Sequence, residues 1–296
     1  MNYYNMLLVL SLSALPMLAI ASEAPVSINQ TAPKVEEPQE FVIGDAKLTS
    51  AQTLALAKKS QNPIANMRSF KFQNNTNVGL GPDDSTQNML NVMPILPFKL
   101  NEDILVITRT VMPIVSQPDF LTPEDEGRIN GLGDTTFSAF FSPMKSDVVW
   151  GVGPIFLLPT ATDDALGQEK WGGGASAILL DQPGRWVYGG IVSNVWSMGG
   201  GGDEDVNLFT LQYFVNYNFD DGWYLFTSPI ITADWEADTD HRWTLPIGLG
   251  FGKLMKIGSQ AMTAQISYYN NVITPDDYGA DYQIRAMLMF MFPRSG

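Results

Sequence analysis

This sequence contains few of the residue types that commonly carry out catalysis. It has no cysteine and one histidine, His241, which excludes disulfides, thiolate metal sites, cysteine nucleophiles and multi-histidine metal centres. His241 lies in Asp240-His241-Arg242-Trp243, in a predicted loop, with no serine two positions away. A serine hydrolase needs a nucleophile within reach of its histidine base, so these residues disfavour a serine hydrolase. We therefore expect no enzyme, no cofactor and no metal site.

Charge and composition restrict the partners. The chain has 296 residues, with 17 Lys and Arg against 31 Asp and Glu, a formal net charge of -14. That sign is wrong for binding the phosphate backbone, so we expect no nucleic acid. The hydrophobic content of 45% excludes an intrinsically disordered chain. Runs such as Gly199–Gly202 lack the Lys-Ser/Thr sequel of a phosphate-binding loop.

The N-terminal segment predicts export. An uncharged apolar run, Met6–Ala21, ends in the small-x-small pattern of a secretory cleavage site. Pro16 interrupts the run, which is also shorter than the ~20 residues that a membrane-spanning helix needs. Residues 1–21 are therefore predicted to be a signal peptide rather than an anchor.

Residues 22–62 change in character and are rich in Pro, Glu, Gln and Ser. This composition predicts a flexible periplasmic segment. Within it, Ser50 could cap a short helix over Ala51–Lys59, with Leu54 and Leu56 as its main apolar side chains. A tether is the favoured interpretation, and a lumen plug or partner-docking helix is the alternative.

From Asn66 onward the hydrophobic period is two, and residues 63–296 are predicted to form the barrel domain. In Phe209–Phe219 and Tyr282–Phe292 one face is apolar or aromatic, and the other is small, amide-bearing or charged. This repeat predicts strands whose outer face meets lipid and whose inner face meets water. Gly248, Gly250 and Gly252 alternate on one predicted inner face, where they would permit a bend or the close approach of a bulky side chain or the N-terminal segment. The predicted strands are 66–79, 87–98, 104–115, 132–142, 148–159, 171–181, 185–198, 205–219, 223–235, 242–253, 260–272 and 281–292.

The connections decide the fold class. Long acidic loops alternate strictly with tight turns such as 99–102, 143–146, 181–184, 220–222 and 253–259. A closed even-stranded barrel in an outer membrane has this asymmetry. We therefore predict an all-β transmembrane antiparallel β-barrel of about 12 strands, with both termini periplasmic. The predicted outer loops are 80–86, 116–131, 160–170, 199–204, 236–241 and 273–280.

Aromatic residues fit the predicted barrel. Outward Phe290 and Phe292 on the last strand look like the signal read by the outer-membrane assembly machinery, although Pro293–Gly296 follow them. Two aromatic belts are expected at the membrane interfaces. Their members are Trp150, Trp186, Trp223 and Tyr224 beside the turns, and Trp171, Trp235 and Trp243 near the loops.

Several motifs in order over residues 60–294 resemble a known family. They are Asn62-Pro63-Ile-Ala65, Gly133-Asp134-Thr135, Ser142-Pro143, the run Trp150–Asp163, Leu166-Gly167, Lys170-Trp171-Gly172, Asn194-x-Trp196-Ser197 and Pro246-Ile-Gly248. The chain is similar to the bacterial outer-membrane transporter family often mislabelled neuromedin U, which is grouped with putative proteins of the MetA pathway of phenol degradation. The resemblance implies an outer-membrane barrel and a passive uptake channel for small organic compounds, including aromatic or apolar ones. It brings no catalytic residues.

The lumen is the expected functional site. Arg109 and Arg285 lie on predicted strands, where an ionisable side chain is costly unless it faces the water-filled interior. With Asp134 or Asp234 they could form a charged constriction that selects solutes. Alternatively, these groups form a salt-bridge network that fills a narrow barrel. Further candidates are Asn194, Gln212 and Asn216 as inward polar groups, and Trp196 with Tyr188 as an apolar ring surface unless Trp196 belongs to the outer belt.

The sequence thus predicts a passive or weakly selective outer-membrane channel for small organic solutes. Outer-membrane lipid, the solute and the assembly machinery are its expected partners. A structural or adhesive barrel with a plugged lumen is the alternative, and an outer-membrane lipid hydrolase is a more distant one.

Overall fold

The computed structural model describes residues 48–119, 127–202, 204–276 and 278–292, which form one antiparallel sheet closed into a barrel. The predicted signal peptide, residues 22–47 and the chain end after Phe292 lie outside the described residues. The strands are β1 (Arg68–Leu80), β2 (Ser85–Lys99), β3 (Ile104–Pro118), β4 (Arg128–Leu132), β5 (Thr135–Pro143), β6 (Val149–Leu158), β7 (Lys170–Asp181), β8 (Trp186–Gly200), β9 (Asn207–Asn218), β10 (Trp223–Thr227), β11 (Ile230–Asp234), β12 (Trp243–Ile257), β13 (Gln260–Ile273) and β14 (Tyr282–Phe292).

Four of these segments form only two spanning strands, because each of those two strands is interrupted by a break. β4 and β5 both pair with β3, and β10 and β11 both pair with β9 and β12. The second break falls at Ser228-Pro229, where proline has no backbone N–H to give to the ladder. The barrel therefore has 12 spanning strands, which confirms the predicted number and type.

The first and last strands close the barrel. β1 pairs with β14 from Arg68↔Phe292 to Val78↔Tyr282. Closure satisfies the backbone hydrogen bonds of both strands within the protein, as a bilayer requires.

The two ends of the barrel carry different connections. The turn end carries residues 100–103, 144–148, 182–185, 219–222 and 258–259. The loop end carries residues 81–84, 159–169 and 235–242, together with the described residues of the connections between β3 and β4, β8 and β9, and β13 and β14. The predicted alternation of turns and loops is confirmed. Residues 81–84 are the exception, because the loop predicted there is a short turn.

The outward side chains form an apolar surface. Ile247, Leu249 and Phe251 on β12 and Ile284 on β14 are exposed, while their sequence neighbours point inward and are more buried. A contiguous apolar surface of this kind suits lipid contact. Trp150, Trp186, Trp223, Trp171 and Trp235 are exposed as the belts require. Tyr224 was assigned to a belt wrongly: its side chain is 1% exposed and faces the interior.

One α-helix precedes the barrel. Helix α1 (Ser50–Gln61) begins one residue earlier than predicted and is capped by Thr49, not Ser50. The Thr49 hydroxyl accepts from the Gln52 N–H at 3.2 Å, and the Gln52 side chain accepts from the Thr49 N–H at 2.9 Å. This reciprocal capping box fixes the helix start. Within the described residues, no helix is long and apolar enough to cross a membrane.

The interior near the turn end is packed and apolar. Leu56 and Ala57 of α1 are 1% exposed and lie among inward residues of β12 to β14, including Leu254, Met287 and Met291. Ile64, which follows the helix, packs into a second cluster. That cluster comprises Ile95, Leu105, Ile107, Phe140, Ile178, Leu180, Val187, Ile191 and Phe214. The inner face is therefore not water-facing throughout, and the favoured tether interpretation is wrong for residues 48–62, which are docked in the barrel.

Candidate functional site in the lumen

A cavity of about 80 Å³ lies inside the barrel next to the end of α1. We call it the lumen cavity. Its floor toward the turn end is formed by Lys59–Pro63, and its walls are inward side chains of β1, β2, β3, β8, β9, β10, β13 and β14. It is smaller than the roughly 150 Å³ cavity that accommodates benzene in an engineered protein core. The docked helix thus leaves room for water rather than for a ring.

Three cationic side chains line the lumen cavity: Lys71 on β1, Arg109 on β3 and Arg285 on β14. Their strands occupy neighbouring positions in the order β3-β2-β1-β14. Arg109 and Arg285 therefore line the same cavity.

Arg285 is held in place by neutral groups. It is 5% exposed, and its Nε donates to Asn75 Oδ1 at 3.1 Å, its Nη1 to the Ser228 carbonyl at 2.8 Å and its Nη2 to Gln283 Oε1 at 2.8 Å. The guanidinium also lies over the Tyr269 ring, 4.8 Å from its centroid. The break at Ser228 frees the carbonyl that receives Nη1. These contacts orient the guanidinium but leave its charge without a counter-ion.

Arg109 and Lys71 have still fewer contacts. Arg109 Nη2 lies 3.8 Å from the sulfur of Met93, which is only a weak acceptor. Within the described part of the chain, no hydrogen bond or ion pair reaches the Lys71 ammonium. The ion pairs found there join Lys99 with Glu102, Lys145 with Asp103, Lys170 with Asp205 and Arg185 with Asp220, all toward the barrel ends.

Amide side chains extend the polar lining. Gln212 and Asn216 on β9 both line the cavity, as predicted, and Gln212 Nε2 donates to Ser228 Oγ at 2.8 Å. Toward the loop end a chain of amides crosses four strands. It runs from Gln283 to Asn77 at 2.7 Å, Asn77 to Gln87 at 2.8 Å, Gln87 to Gln117 at 2.8 Å and Gln117 to the Ala165 carbonyl at 2.9 Å.

Helix α1 is bound to the barrel by specific polar contacts. Gln61 and Asn218 exchange two amide hydrogen bonds of 2.8 and 3.1 Å. The Lys58 ammonium donates to the carbonyls of Gln182 and Gly184, and Gln182 Nε2 donates to the Lys58 carbonyl at 2.9 Å. Burial lowers the pKa of Lys58, against the opposing effect of Asp181, and burial also lowers that of Lys59. The helix is thus anchored at the turn end of the barrel.

The two predicted acidic partners lie away from the lumen cavity. Asp134 Oδ1 accepts from the backbone N–H groups of Thr160 and Ala161 at 3.1 Å, and Oδ2 accepts from that of Gln168 at 2.6 Å. Asp234 is exposed at the end of β11 and accepts from the Glu236 N–H. Both carboxylates order loop-end backbone, so neither forms the predicted constriction with the arginines.

The residues of β8 were assigned to the wrong face. Trp196 and Tyr188 are 48% and 43% exposed on the outer face, whereas Val187, Ile191 and Val195 point inward. Asn194 shares the outer face, where it donates to Asn207 Oδ1 and accepts from Trp235 Nε1. The placement of Trp196 agrees with the outer aromatic belt.

Lys71 is the lining residue that the sequence analysis missed. The signal was present, because Lys71 lies between Phe70 and Phe72, which are exposed on the outer face, and shares its parity with Ser69 and Gln73. Elsewhere, His241 lies in a short 3-10 turn at the loop end. Among the described residues, no group of three or more His, Asp or Glu could hold a metal ion.

Comparison with solved structures identifies the fold. The "COG4313 outer membrane channel" from Pseudomonas putida F1 matches with a TM-score of 0.60 at 14% identity, covering 76% of this chain and 94% of that one. The fold is that of an outer-membrane β-barrel. The translocator domain of the autotransporter NalP from Neisseria meningitidis is similar at a TM-score of 0.44 and 12% identity, covering 83% of this chain and 98% of that one. No family model matches the sequence, and neither does any curated protein.

Proposed function

We propose that the protein is an outer-membrane channel for passive or weakly selective uptake of small organic solutes, with α1 as a plug. The observation that carries this proposal is the lumen cavity itself. Its wall belongs to the closed sheet, whereas its floor belongs to the end of α1 and the two residues after it, and the helix is held to the barrel by contacts of side chains. Breaking those contacts would open the lumen without breaking a strand pair.

The solute class rests on the chemistry of the lining and on family resemblance. Cationic and amide groups line the cavity together with Ile191, Phe214 and Phe226, a mixture suited to small organic molecules. The COG4313 structure carries the name of an outer membrane channel. The resemblance to the family grouped with the MetA pathway of phenol degradation extends the proposal to aromatic solutes.

Arg109, Arg285, Gln212 and Asn216 are the proposed selectivity residues, since all four line the lumen cavity. Asp134, Asp234, Asn194 and Trp196 have no such role in this proposal.

The cellular arrangement follows from the same proposal. We place the turn end and both termini in the periplasm, residues 1–21 in a cleaved signal peptide, and residues 63–296 in the membrane barrel. The apolar outer surface would contact outer-membrane lipid. Phe292 and Phe290, whose rings meet Phe70 and Phe72 edge to face on the outer surface, would belong to the segment that the assembly machinery reads. Transport rather than catalysis is the proposed role.

A structural or adhesive barrel with a permanently plugged lumen is the second candidate. The observation that favours it is the apolar cluster around Ile64, which fills the turn-end lumen together with α1. In that case the docked helix would be a permanent part of the core.

Conductance of the refolded protein in planar lipid bilayers separates the two candidates. A channel gives discrete openings, and weakening the docking of α1 increases the time spent open without changing the unit conductance. A permanently plugged barrel gives a silent bilayer for the wild type and for variants of the helix alike.

A further inference from the structure

We propose that the lumen cavity binds a small organic monoanion, such as an aromatic carboxylate. Its carboxylate would lie at Lys71, Arg109 and Arg285 and its hydrocarbon part against the apolar wall. The inference rests on the proposed channel function and specifies the class of solute.

The three cations converge on one small region. Lys71 lies opposite Met93 on β2 and opposite Met289 on β14. The guanidinium of Arg109 approaches the sulfur of that same Met93. Arg285 is bonded through Asn75 to β1, the strand that carries Lys71. All three side chains line the same cavity.

Their charges are not neutralised by the protein. Arg285 donates to carbonyl and amide oxygens, Arg109 approaches only a thioether, and the described residues offer the Lys71 ammonium no acceptor. Buried like charges without a counter-ion are costly, and charge-assisted hydrogen bonds to a carboxylate would offset that cost. A cation cluster of this kind is suited to binding an anion.

The pattern of acids supports a ligand rather than an internal salt bridge. Carboxylates are missing from the lining of the lumen cavity in the described parts of the barrel. Within the described strands, the acidic residue that comes nearest to the inner face is Asp234, and it lies exposed at the loop-end rim of the barrel. The positive charge of the inner face is therefore available to an anionic solute that enters the lumen.

The apolar wall distinguishes an organic anion from an inorganic one. Ile95, Ile191, Phe214, Phe226, Met287 and Met289 line the same cavity as the cations. An inorganic phosphate would gain nothing from these side chains, whereas a ring or short hydrocarbon chain would be removed from water against them. Because the cavity holds about 80 Å³ with the helix docked, binding a whole aromatic acid would displace part of the Lys59–Pro63 floor.

The acidic loops affect the approach of an anion, not its bound state. The described acids of these loops, such as Asp163, Asp164 and Asp205, lie at the loop end, and their charges are screened over about 8 Å at physiological ionic strength. We therefore expect slow association at low salt and faster association as salt is added.

Calorimetric titration of the full mature protein in detergent tests the proposal, with benzoate as the probe, benzamide as its neutral counterpart and inorganic phosphate as the third ligand. Benzoate is expected to bind at least ten-fold more tightly than either. Lys71→Met and Arg109→Met should each weaken benzoate binding ten-fold or more, whereas Arg109→Lys should weaken it less. Lys170→Met, which removes a cation outside the cavity, should leave it unchanged. Heat-modifiable mobility on a denaturing gel checks that every variant is folded.

Equal affinity for benzoate and benzamide, or unchanged affinity in both Met variants, would overturn the proposal. Phosphate binding as tight as that of benzoate would overturn its organic part. Bilayer recordings separate this inference from the channel function. A conducting barrel that ignores benzoate removes only the anion site, and charge-dependent benzoate binding in a barrel that never conducts removes only the channel.

Discussion

Gln61 and Asn218 join the end of α1 to the end of β9 by two reciprocal amide hydrogen bonds across 157 positions of sequence. Asn218 is 1% exposed and also donates to the Arg185 carbonyl, so its amide is fixed before the helix meets it. The pair therefore acts as a docking point with a defined geometry. In the proposed channel it is one of the contacts that must break for the lumen to open.

Replacing Gln61 should release the plug. Gln61→Ala leaves the buried Asn218 amide without its partner, a loss of about 1–3 kcal/mol of docking free energy. At about 1.4 kcal/mol per factor of ten, the open fraction in single-channel recordings should rise roughly five- to hundred-fold. Asn218→Ala should act similarly, and the double variant should add little. Asn130→Ala, at the loop end, is the control; an equal effect there would show that the amide pair is not specific.

Leu56 should be the main apolar anchor of the helix. Leu56→Ala removes a side chain that is 1% exposed in the cluster with Leu254 and Met287, at a cost of about 2–5 kcal/mol. Trypsin should then cleave after Lys58 or Lys59 about 30-fold faster or more, while the barrel itself resists. Leu54→Ala, at a half-buried position, should have a smaller effect. Cleavage rates that do not distinguish the two variants would argue against the docked helix.

A methyl group at Gly252 should destabilise the barrel wall. A Cβ there would overlap the ring of inward Tyr224, which is 1% exposed. This confirms the expected close approach of a bulky side chain. Gly252→Ala should cost about 1–3 kcal/mol in urea unfolding followed by tryptophan fluorescence. Adding Tyr224→Leu should recover part of the loss, whereas Gly190→Ala, where a Cβ meets only ordinary contacts, should be nearly neutral.

Helix docking should strengthen as pH rises toward 10. Burial lowers the pKa of Lys59 and of Lys58 in the docked helix, whereas in a released helix both would return to about 10.4. Between those pKa values the released state binds more protons than the docked state, so raising the pH favours docking. The open fraction should therefore fall as the pH rises toward 10 and change less in a Lys58→Met, Lys59→Met variant. An open fraction that rises with pH in the wild type would contradict this assignment.

The barrel could be predicted from the sequence because period-two alternation fixes which side of a strand faces lipid. The alternation assigned the inner and outer faces correctly on β9, β12 and β14, where apolar residues alternate with amides, glycines or Arg285. The same signal placed Arg109, Gln212 and Asn216 on the inner face.

The sequence pattern failed where both faces of a strand are apolar. On β8 the inward residues Val187, Ile191 and Val195 are as hydrophobic as outward Trp196. The hydrophobic pattern therefore does not show which face of this strand points into the barrel. The docking of α1 was also not readable, since it depends on Asn218 and on the methionines of β14, far away in sequence. Asp134 was misassigned because its bonding partners are backbone N–H groups, which any loop sequence provides.

Bilayer recording of the wild type beside Gln61→Ala and Leu56→Ala tests the central claim, that α1 closes a conducting lumen. We expect rare openings in the wild type, more frequent openings in both variants, and the same unit conductance for all three proteins. A bilayer that stays silent with all three folded proteins would contradict it and support the structural barrel instead.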